Sequence, residues 1–318
     1  MNKTDKIYIA GHSGLVGSAV VRLLRKKGYT NLVYQTREDL DLTDKTAVDH
    51  WFVRQRPQFV IIAAARVGGI LDNDTHPVDF LYQNLQIATN IIHASHEHKV
   101  EKLLNLGSAC IYPKDSQQPI REEYFMTGKL EPTNEAYAIA KIAAIKLCQA
   151  YHRQYGDNFI SAMPTNLYGP GDTFNDSFAH VLPALLHKLV VAKETNQPFI
   201  KVWGSGKPRR EFMFVDDLAR ALLLLMDKYN SPEIINVGTG EDINILDLVE
   251  MLKTVVGYSG EIVLDGTKPD GMPLRRLDVS KLRKLGYKHE YTLLQGLTET
   301  HRWYMAHAGK AIKEKQRA

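Results

Sequence analysis

The sequence predicts an α/β protein in which a doubly wound parallel sheet carries a smaller C-terminal α/β lobe. Three observations lead there. Short β-branched apolar runs alternate with longer amphipathic stretches through the first half of the chain, the pattern of repeated βαβ units. Gly11, Gly14 and Gly17 fall directly after the first apolar run, where a strand would turn into a helix. Beyond residue 165 the texture changes, starting with the turn-rich Asn166-Leu167-Tyr168-Gly169-Pro170-Gly171-Asp172 and continuing in shorter runs separated by Gly and Pro.

The apolar runs at residues 7–10, 32–35, 59–63, 102–106 and 159–164 read as strands, because parallel strands covered on both faces are apolar nearly throughout. Amphipathic stretches at 15–27, 44–55, 77–98 and 134–155 fill the gaps as helices. The third carries Phe80, Leu81, Leu85, Ile87, Ile91 and Ile92, a wide stripe suited to packing on a sheet. Residues 1–165 are therefore expected to form a Rossmann-type, dinucleotide-binding domain, and residues 166–318 mainly a substrate-binding lobe. Residues 212–225 again read as strand then helix, so part of 211–240 is expected to rejoin the main sheet.

Composition bounds the function. With 318 residues and 44% hydrophobic content, the chain can bury a sizeable core. Its net charge of +4 comes from 40 basic and 36 acidic residues spread along the whole length, which argues against a nucleic-acid partner. The densest basic cluster, Lys310, Lys313, Lys315 and Arg317, reads as a solvated terminus. Cys110 and Cys148 show no CxxC spacing and no His/Cys cluster, so neither a disulfide framework nor a bound metal is expected, in keeping with a reducing cytoplasm. The polar start, Met1 to Lys6, leaves no apolar stretch for a signal peptide, and the runs at 59–65 and 221–226 are too short to span a bilayer. A cytoplasmic protein without a membrane partner is expected.

A Gly-rich turn at the first strand-to-helix junction lets backbone N–H groups and a helix N-terminus approach a pyrophosphate. The end of the second strand selects the dinucleotide. NAD binders usually place a carboxylate there for the ribose 2′-OH, yet residues 18–37 contain no Asp or Glu. Arg37 stands there instead, placed to meet a 2′-phosphate, with Glu38 and Asp39 following at once. NADP(H) is the expected cofactor. Asp41-Leu42 either contacts the adenine or caps the next helix.

Tyr137 and Lys141 stand four apart on a predicted helix, hence on one face with Cβ atoms about 5–6 Å apart. A free tyrosine has a pKa of about 10, and a neighbouring ammonium favours its ionised form. That pairing would make Tyr137 an acid/base for a carbonyl. Ser108 ends the fourth predicted strand, where an open α/β sheet presents its ligand crevice. If the chain stays extended there, Ser108 and Cys110 project to the same side, although a free cysteine is more often a small buried hydrophobe than a catalyst.

Together these residues resemble the extended short-chain dehydrogenase/reductase family over nearly the whole chain. The resemblance rests on Gly11-His12-Ser13-Gly14-Leu15-Val16-Gly17-Ser18-Ala19, Ala63-Ala64-Ala65-Arg66-Val67-Gly68-Gly69-Ile70 and Leu106-Gly107-Ser108-Ala109-Cys110-Ile111-Tyr112-Pro113. It continues through Glu131-Pro132-Thr133-Asn134-Glu135-Ala136-Tyr137-Ala138-Ile139-Ala140-Lys141, Pro164-Thr165-Asn166-Leu167-Tyr168-Gly169-Pro170, Trp203-Gly204-Ser205-Gly206 and Arg210-Glu211-Phe212. Dehydratases of this family would place Asp-Glu after the catalytic hydroxyl, where this chain has Ala109-Cys110.

The resemblance implies roles. Ser108, Tyr137 and Lys141 would form a reductase triad, with Cys110 and His180 as base and acid of an epimerisation. Cofactor contacts would come from Gly11, Gly14, Leu15, Val16, Gly17, Arg37, Asp41, Leu42, Ala64, Lys141, Pro164 and His180. Asn166, Lys188, Trp203 and Arg210 would hold the substrate, Lys188 by charge similarity alone. Ser13 departs from members with a basic residue near the 2′-phosphate, which leaves NADPH selectivity leaning on Arg37. The implied activity is NADPH-dependent 3,5-epimerisation and 4-keto reduction of GDP-4-keto-6-deoxy-D-mannose, in a homodimer built on the helices containing Asn90 and Tyr137. A related GDP-4-keto sugar, such as a heptose, is the alternative substrate. A non-catalytic NADP-binding sensor or scaffold is the alternative of another class, and intact Ser108, Tyr137 and Lys141 argue against it.

Overall fold

The computed structural model describes residues 1–174, 179–267 and 270–307; Lys310, Lys313, Lys315 and Arg317 lie outside the described residues. The first half runs β1 (Ile7–Ala10), α1 (Leu15–Lys26), β2 (Leu32–Val33), α2 (Lys45–Gln55), β3 (Phe59–Ile62), α3 (Ile70–Thr75), α4 (Pro77–Glu97), β4 (Lys102–Leu106), α5 (Glu135–Tyr155) and β5 (Phe159–Pro164). Next come β6 (Asn166–Tyr168), α6 (Val181–Glu194), β7 (Phe199–Trp203), β8 (Arg209–Arg210), β9 (Phe212–Phe214), α7 (Val215–Lys228) and β10 (Ile234–Val237). The chain continues through β11 (Ile243–Asn244), α8 (Ile245–Val256), β12 (Glu261–Asp265), β13 (Leu274–Arg275), α9 (Ser280–Lys284) and α10 (Leu293–His307). Among the described residues no helix is long and apolar enough to cross a membrane.

A six-stranded parallel sheet has the order β10-β5-β4-β3-β1-β2. Strand order reverses between β1 and β3, so the chain ends leaving those two strands diverge and open a crevice beyond their carboxyl ends. Successive side chains of a strand face opposite ways, and the sheet uses both faces. Ile7, Ile9, Ile61 and Leu104 pack with Val20, Leu24, Leu218 and Leu222 of α1 and α7. Tyr8, Val60, Ile62 and Leu103 pack on the other side with Trp51, Phe52, Ile91 and Ile92 of α2 and α4. This two-sided burial is why the strands are apolar runs without alternation.

A separate core joins Leu185, Leu186 and Leu189 of α6 to Ile200 and Val202 of β7, Leu248 and Leu252 of α8, and Leu297 of α10. Here β7 does alternate: Phe199, Lys201 and Trp203 are exposed while Ile200 and Val202 are buried. One sequence alternative is corrected locally. Asp41 does not cap α2, because Asp44 accepts from the N–H groups of Thr46 and Ala47, whereas Asp41 accepts from the Thr43 N–H and hydroxyl.

Glu211, between β8 and β9, is fully buried. Its Oε1 accepts from the backbone N–H of Thr239 at 2.7 Å and of Gly240 at 2.8 Å, and its Oε2 from that of Leu277 at 2.7 Å. The carboxylate thus ties the segment after β10 to the segment after β13. Gly238 lets it come close, since a Cβ there would stand 2.1 Å from Oε1. Burial raises the Glu211 pKa while the three N–H donors pull it down. Glu211→Ala would leave three buried donors without an acceptor, each costing about 1–3 kcal/mol. We expect a loss of at least about 3 kcal/mol in urea unfolding; a variant as stable as the wild type would show that water replaces the carboxylate without cost.

Candidate active site

The glycine turn is shaped by close approach. Gly11 has φ of 81°, and a Cβ there would lie 2.6 Å from the Ala64 backbone nitrogen. At Gly17 a Cβ would lie 2.0 Å from the Gly11 carbonyl oxygen. Gly14 starts α1 without a side-chain cap, and the first turn carries no acidic residue. The positive end of α1, at Leu15, Val16 and Gly17, is therefore left to an anion. The chain leaving β3 passes alongside at Ala64, and Asn84 of α4 clamps it by pairing with the Arg66 N–H at 2.8 Å and carbonyl at 3.0 Å.

Arg37 sits on an exposed turn past β2. The neighbouring Asp39 carboxylate takes the Thr36 hydroxyl at 2.7 Å. His12 stacks on Tyr34, with ring centroids 4.4 Å apart, so the glycine turn and the end of β2 meet in one wall. Leu42 lies just beyond, where its carbonyl accepts from Asn90 of α4 at 3.0 Å.

Ser108 follows β4, but the chain does not stay extended. It enters a 3₁₀ turn at Ala109–Ile111, with Ser108 at the N-cap accepting from the Cys110 N–H at 3.4 Å. The thiol still meets the hydroxyl, for a different reason from the one expected: the turn folds Cys110 back, and its Sγ donates to Ser108 Oγ at 3.0 Å. The same hydroxyl hydrogen-bonds the Tyr137 phenol, a contact that opposes, without reversing, the upward push on its pKa from desolvation. Phe80 stands edge-on behind Tyr137, with centroids 6.2 Å apart.

Lys141 is buried; its Nζ donates to the Leu106 carbonyl at 2.8 Å and lies 5.6 Å from the centre of the Tyr137 ring. The expectation that this ammonium would favour ionised Tyr137 is corrected. Burial dominates and, helped by the nearby Cys110, drives the phenol pKa upward, so Tyr137 stays protonated. The same desolvation lowers Lys141 to about 8. Burial also raises the Cys110 thiol, opposed in order by the Ser108 hydrogen bond and the charges of Arg275 and Lys141.

His180 immediately precedes α6, and it lines a cleft with Val67, Gly68, Asp72, Asp172 and Thr173. The surrounding protein lowers its pKa. Pro164 ends β5, and Asn166 on β6 donates to the Glu211 carbonyl at 2.8 Å. Arg210 on β8 donates to the Met272 carbonyl at 2.5 Å. Lys188 of α6 donates to the Lys201 carbonyl of β7 at 3.0 Å, and Trp203 ends that strand 68% exposed. The predicted substrate residues thus fall into two patches, one around β6 and β8 and one along α6 and β7.

Two residues near these groups carry no signal in the sequence. Arg275 Nη2 donates to the Ala109 carbonyl at 2.6 Å, across 166 positions of chain. Asp172 accepts from the Thr173 N–H at 2.8 Å through Oδ1, while its buried Oδ2 has no partner among the described residues. Burial lifts Asp172 to about 7.

A doubly wound sheet with an open helix N-terminus at its switch point, and with serine, tyrosine and lysine side chains gathered beside it, defines a Rossmann-fold enzyme of the dinucleotide-dependent class. The chain belongs to the NAD dependent epimerase/dehydratase family, whose sequence profile matches residues 7–238. It is 53% identical over 305 residues to a putative GDP-L-fucose synthase 2 of Arabidopsis thaliana, covering 96% of this chain and 93% of that one. It is 50% identical over 310 residues to the GDP-L-fucose synthase of Escherichia coli K12, covering 95% and 97%. Among solved structures, a GDP-L-fucose synthetase from Naegleria fowleri bound to NADP superposes with a TM-score of 0.91 at 33% identity, over 97% of this chain and 95% of that one.

Asp172 generates a test with a defined sign. Its folded pKa of about 7 lies above the unfolded value of 3.8, so between these the folded state binds more protons and stability falls as pH rises. Asp172→Asn should therefore melt higher than the wild type at pH 8 and alike at pH 4. Equal melting temperatures at both pH values would mean that water already solvates Oδ2.

Proposed function

We propose that the protein is an NADPH-dependent epimerase-reductase converting GDP-4-keto-6-deoxy-D-mannose into GDP-L-fucose. The observation that carries this reading is the thiol of Cys110 bonded to the hydroxyl of Ser108, beside Tyr137 and Lys141: a proton-moving group built into a reductase-type cluster. The relatives described above are named for the synthesis of GDP-L-fucose, the product of this reaction.

The glycine cradle fits a dinucleotide, since its close contacts exclude side chains and its helix end is open to a diphosphate. Gly11, Gly14, Leu15, Val16 and Gly17 would hold the diphosphate, Arg37 the 2′-phosphate, and Asp41 and Leu42 the adenine. Ala64, Lys141, Pro164 and His180 would line the nicotinamide half. Asn166, Lys188, Trp203 and Arg210 would hold the GDP-sugar. When bound, NADPH supplies hydride for carbon 4.

The keto group at carbon 4 acidifies the hydrogens on carbons 3 and 5. Cys110 takes a proton from one ring face, and His180 returns one from the other. The negative charge that develops on the carbon 4 oxygen is met by the Ser108 and Tyr137 hydroxyls. Tyr137, kept protonated by burial, then donates its proton to that oxygen as reduction completes. Lys141, anchored on the Leu106 carbonyl, would hold the nicotinamide ribose, and its ammonium would stabilise the phenolate left by that transfer until solvent returns the proton. We further propose a cytoplasmic homodimer joined through α4 and α5, where Val78, Tyr82 and Ile139 are 74%, 60% and 43% exposed.

Incubation with GDP-4-keto-6-deoxymannose and NADPH tests the reading: NADPH oxidation with an L-fuco product by NMR is expected, and its absence would refute the assignment. Arg37→Ala should weaken NADPH at least about tenfold more than NADH, as loss of a bidentate phosphate contact implies; equal weakening of both cofactors would make Arg37 structural. In deuterium oxide, Cys110→Ser should lose solvent deuterium at carbons 3 and 5 by about a hundredfold or more, since a general base contributes that much. Deuterium at both carbons at the wild-type rate would reduce the thiol to packing.

A further inference from the structure

The thiol assigned above as a base is opposed by its own surroundings, because burial favours the neutral form. Strand register shows what offsets this. On β8 and β13, Arg209 pairs with Leu274 and Arg210 with Arg275. Arg209 and the adjoining Arg276 share the carboxylate of Asp242, Arg276 at 2.9 Å. No ion pair among the described residues takes Arg210 or Arg275. Asp242 thus pairs with two of the four guanidinium groups, while Arg210 and Arg275 have no carboxylate at ion-pair distance among the described residues and Glu131 acts on Arg275 only from further away. Arg275 is one of these, and its Nη2 lies 2.6 Å from the Ala109 carbonyl, one residue before Cys110.

We propose that Arg275 is a positioning residue for epimerisation, holding the Ser108–Cys110 turn through the Ala109 carbonyl and supplying the permanent positive charge that stabilises the Cys110 thiolate. A half-buried guanidinium with no carboxylate in contact favours an anion nearby, and Cys110 is the acid next to the turn it grips. The charged and titratable groups around this thiol are few. From α5 come Tyr137, a neutral phenol, and Lys141, whose Nζ is committed to Leu106 and whose pKa is lowered to about 8. From β13 comes Arg275, with Arg210 of β8 acting on it in turn; from the chain before α5, Glu131 attracts Arg275. Lys141 can lose its proton in the working range, but an arginine does not, so Arg275 is the charge that persists when the base must be ionised.

The placement of Arg275 is itself built in. The Leu277 N–H, two residues on, is fixed by Glu211 at 2.7 Å, and the Glu211 N–H donates to the Arg275 carbonyl at 3.2 Å. In the step served, the thiolate takes a proton from the carbon next to the ketone. An S–H bond forms, the C–H bond breaks, and its electron pair passes to the carbon 4 oxygen.

This inference deepens the proposed reaction and rests on it, but its first test needs no substrate. The rate of iodoacetamide alkylation at Cys110, followed by peptide mass spectrometry against pH, reports thiolate directly. Cys148 is separable because it is fully buried and its thiol is pushed up to about 12. Arg275→Gln should move the Cys110 profile up by about one pH unit, making alkylation about tenfold slower at pH 7, while Arg275→Lys, which keeps a cation only below its own pKa, shifts it less. Arg275→Met is the second neutral variant should the Gln protein fail to fold. An unmoved profile in the neutral variants, or a Lys variant shifted as far as they are, would overturn the proposal. Deuterium wash-in at carbons 3 and 5 is then read on the same proteins. A shifted alkylation profile with wild-type wash-in would uphold the electrostatic role of Arg275 and refute Cys110 as the base.

Discussion

The buried carboxylate of Glu211 is the constraint on which the two halves of the molecule depend. It lies where β8 hands over to β9, and it gathers backbone N–H groups from beyond β10 and beyond β13. One of these segments continues the large parallel sheet, and the other carries Arg275 to the turn after β4. A neutral side chain of the same size would accept fewer of these donors. Burying a charge is costly without such a shell, and three amides satisfy it here. Asn236 repeats the device one strand away: its side chain takes the Tyr112 hydroxyl at 2.6 Å and donates to the carbonyls of Ile120 and Asp278. The linkage between lobes is thus polar and directional, unlike the apolar cores on either side of it.

Desolvation sets the protonation of the cluster beside that linkage. It pushes the Tyr137 phenol and the Cys110 thiol upward and the Lys141 ammonium downward. For a group that must give a proton to an alkoxide this is the useful direction, because the phenol begins in its acid form. For a thiol that must accept one, it is the wrong direction. In the proposed reaction, one environment would therefore suit reduction and resist epimerisation, and Arg275 would offset that resistance at one point. Arg275 ends β13 and the thiol follows β4, so that chemistry would depend on both parts of the chain.

Much of the fold is legible from the chain alone. Strands buried on both faces must be apolar throughout, and the helices between them must be amphipathic, so β1, β3, β4 and β5 and the helices α1, α2, α4 and α5 fall within a few residues of expectation. β2 is shorter than the apolar run predicts, because its pairing with β1 ends at Val33 and the chain turns at Thr36. The Gly11, Gly14 and Gly17 spacing encodes a local geometry, a tight turn into a helix, and local geometry is written in neighbouring residues. Tyr137 and Lys141 are likewise related by helical spacing.

The sequence by itself thus determined the class of fold, the glycine cradle and the pairing of phenol and ammonium on one helix face, since each follows from short-range periodicity or from the chemistry of adjacent residues, while Ser108 joined them only through the family resemblance. Only the tertiary structure decided how those groups behave. Whether Lys141 ionises Tyr137 or burial protonates it depends on the protein mass around both, and burial prevails. Whether Ser108 and Cys110 meet through an extended strand or a 3₁₀ turn depends on where β4 stops pairing. Arg275 joins the site through its contact with the distant Ala109 carbonyl, and it differs from Arg209 and Arg276 in having no ion pair with Asp242. No composition or spacing distinguishes those three arginines; the side on which Asp242 lies does.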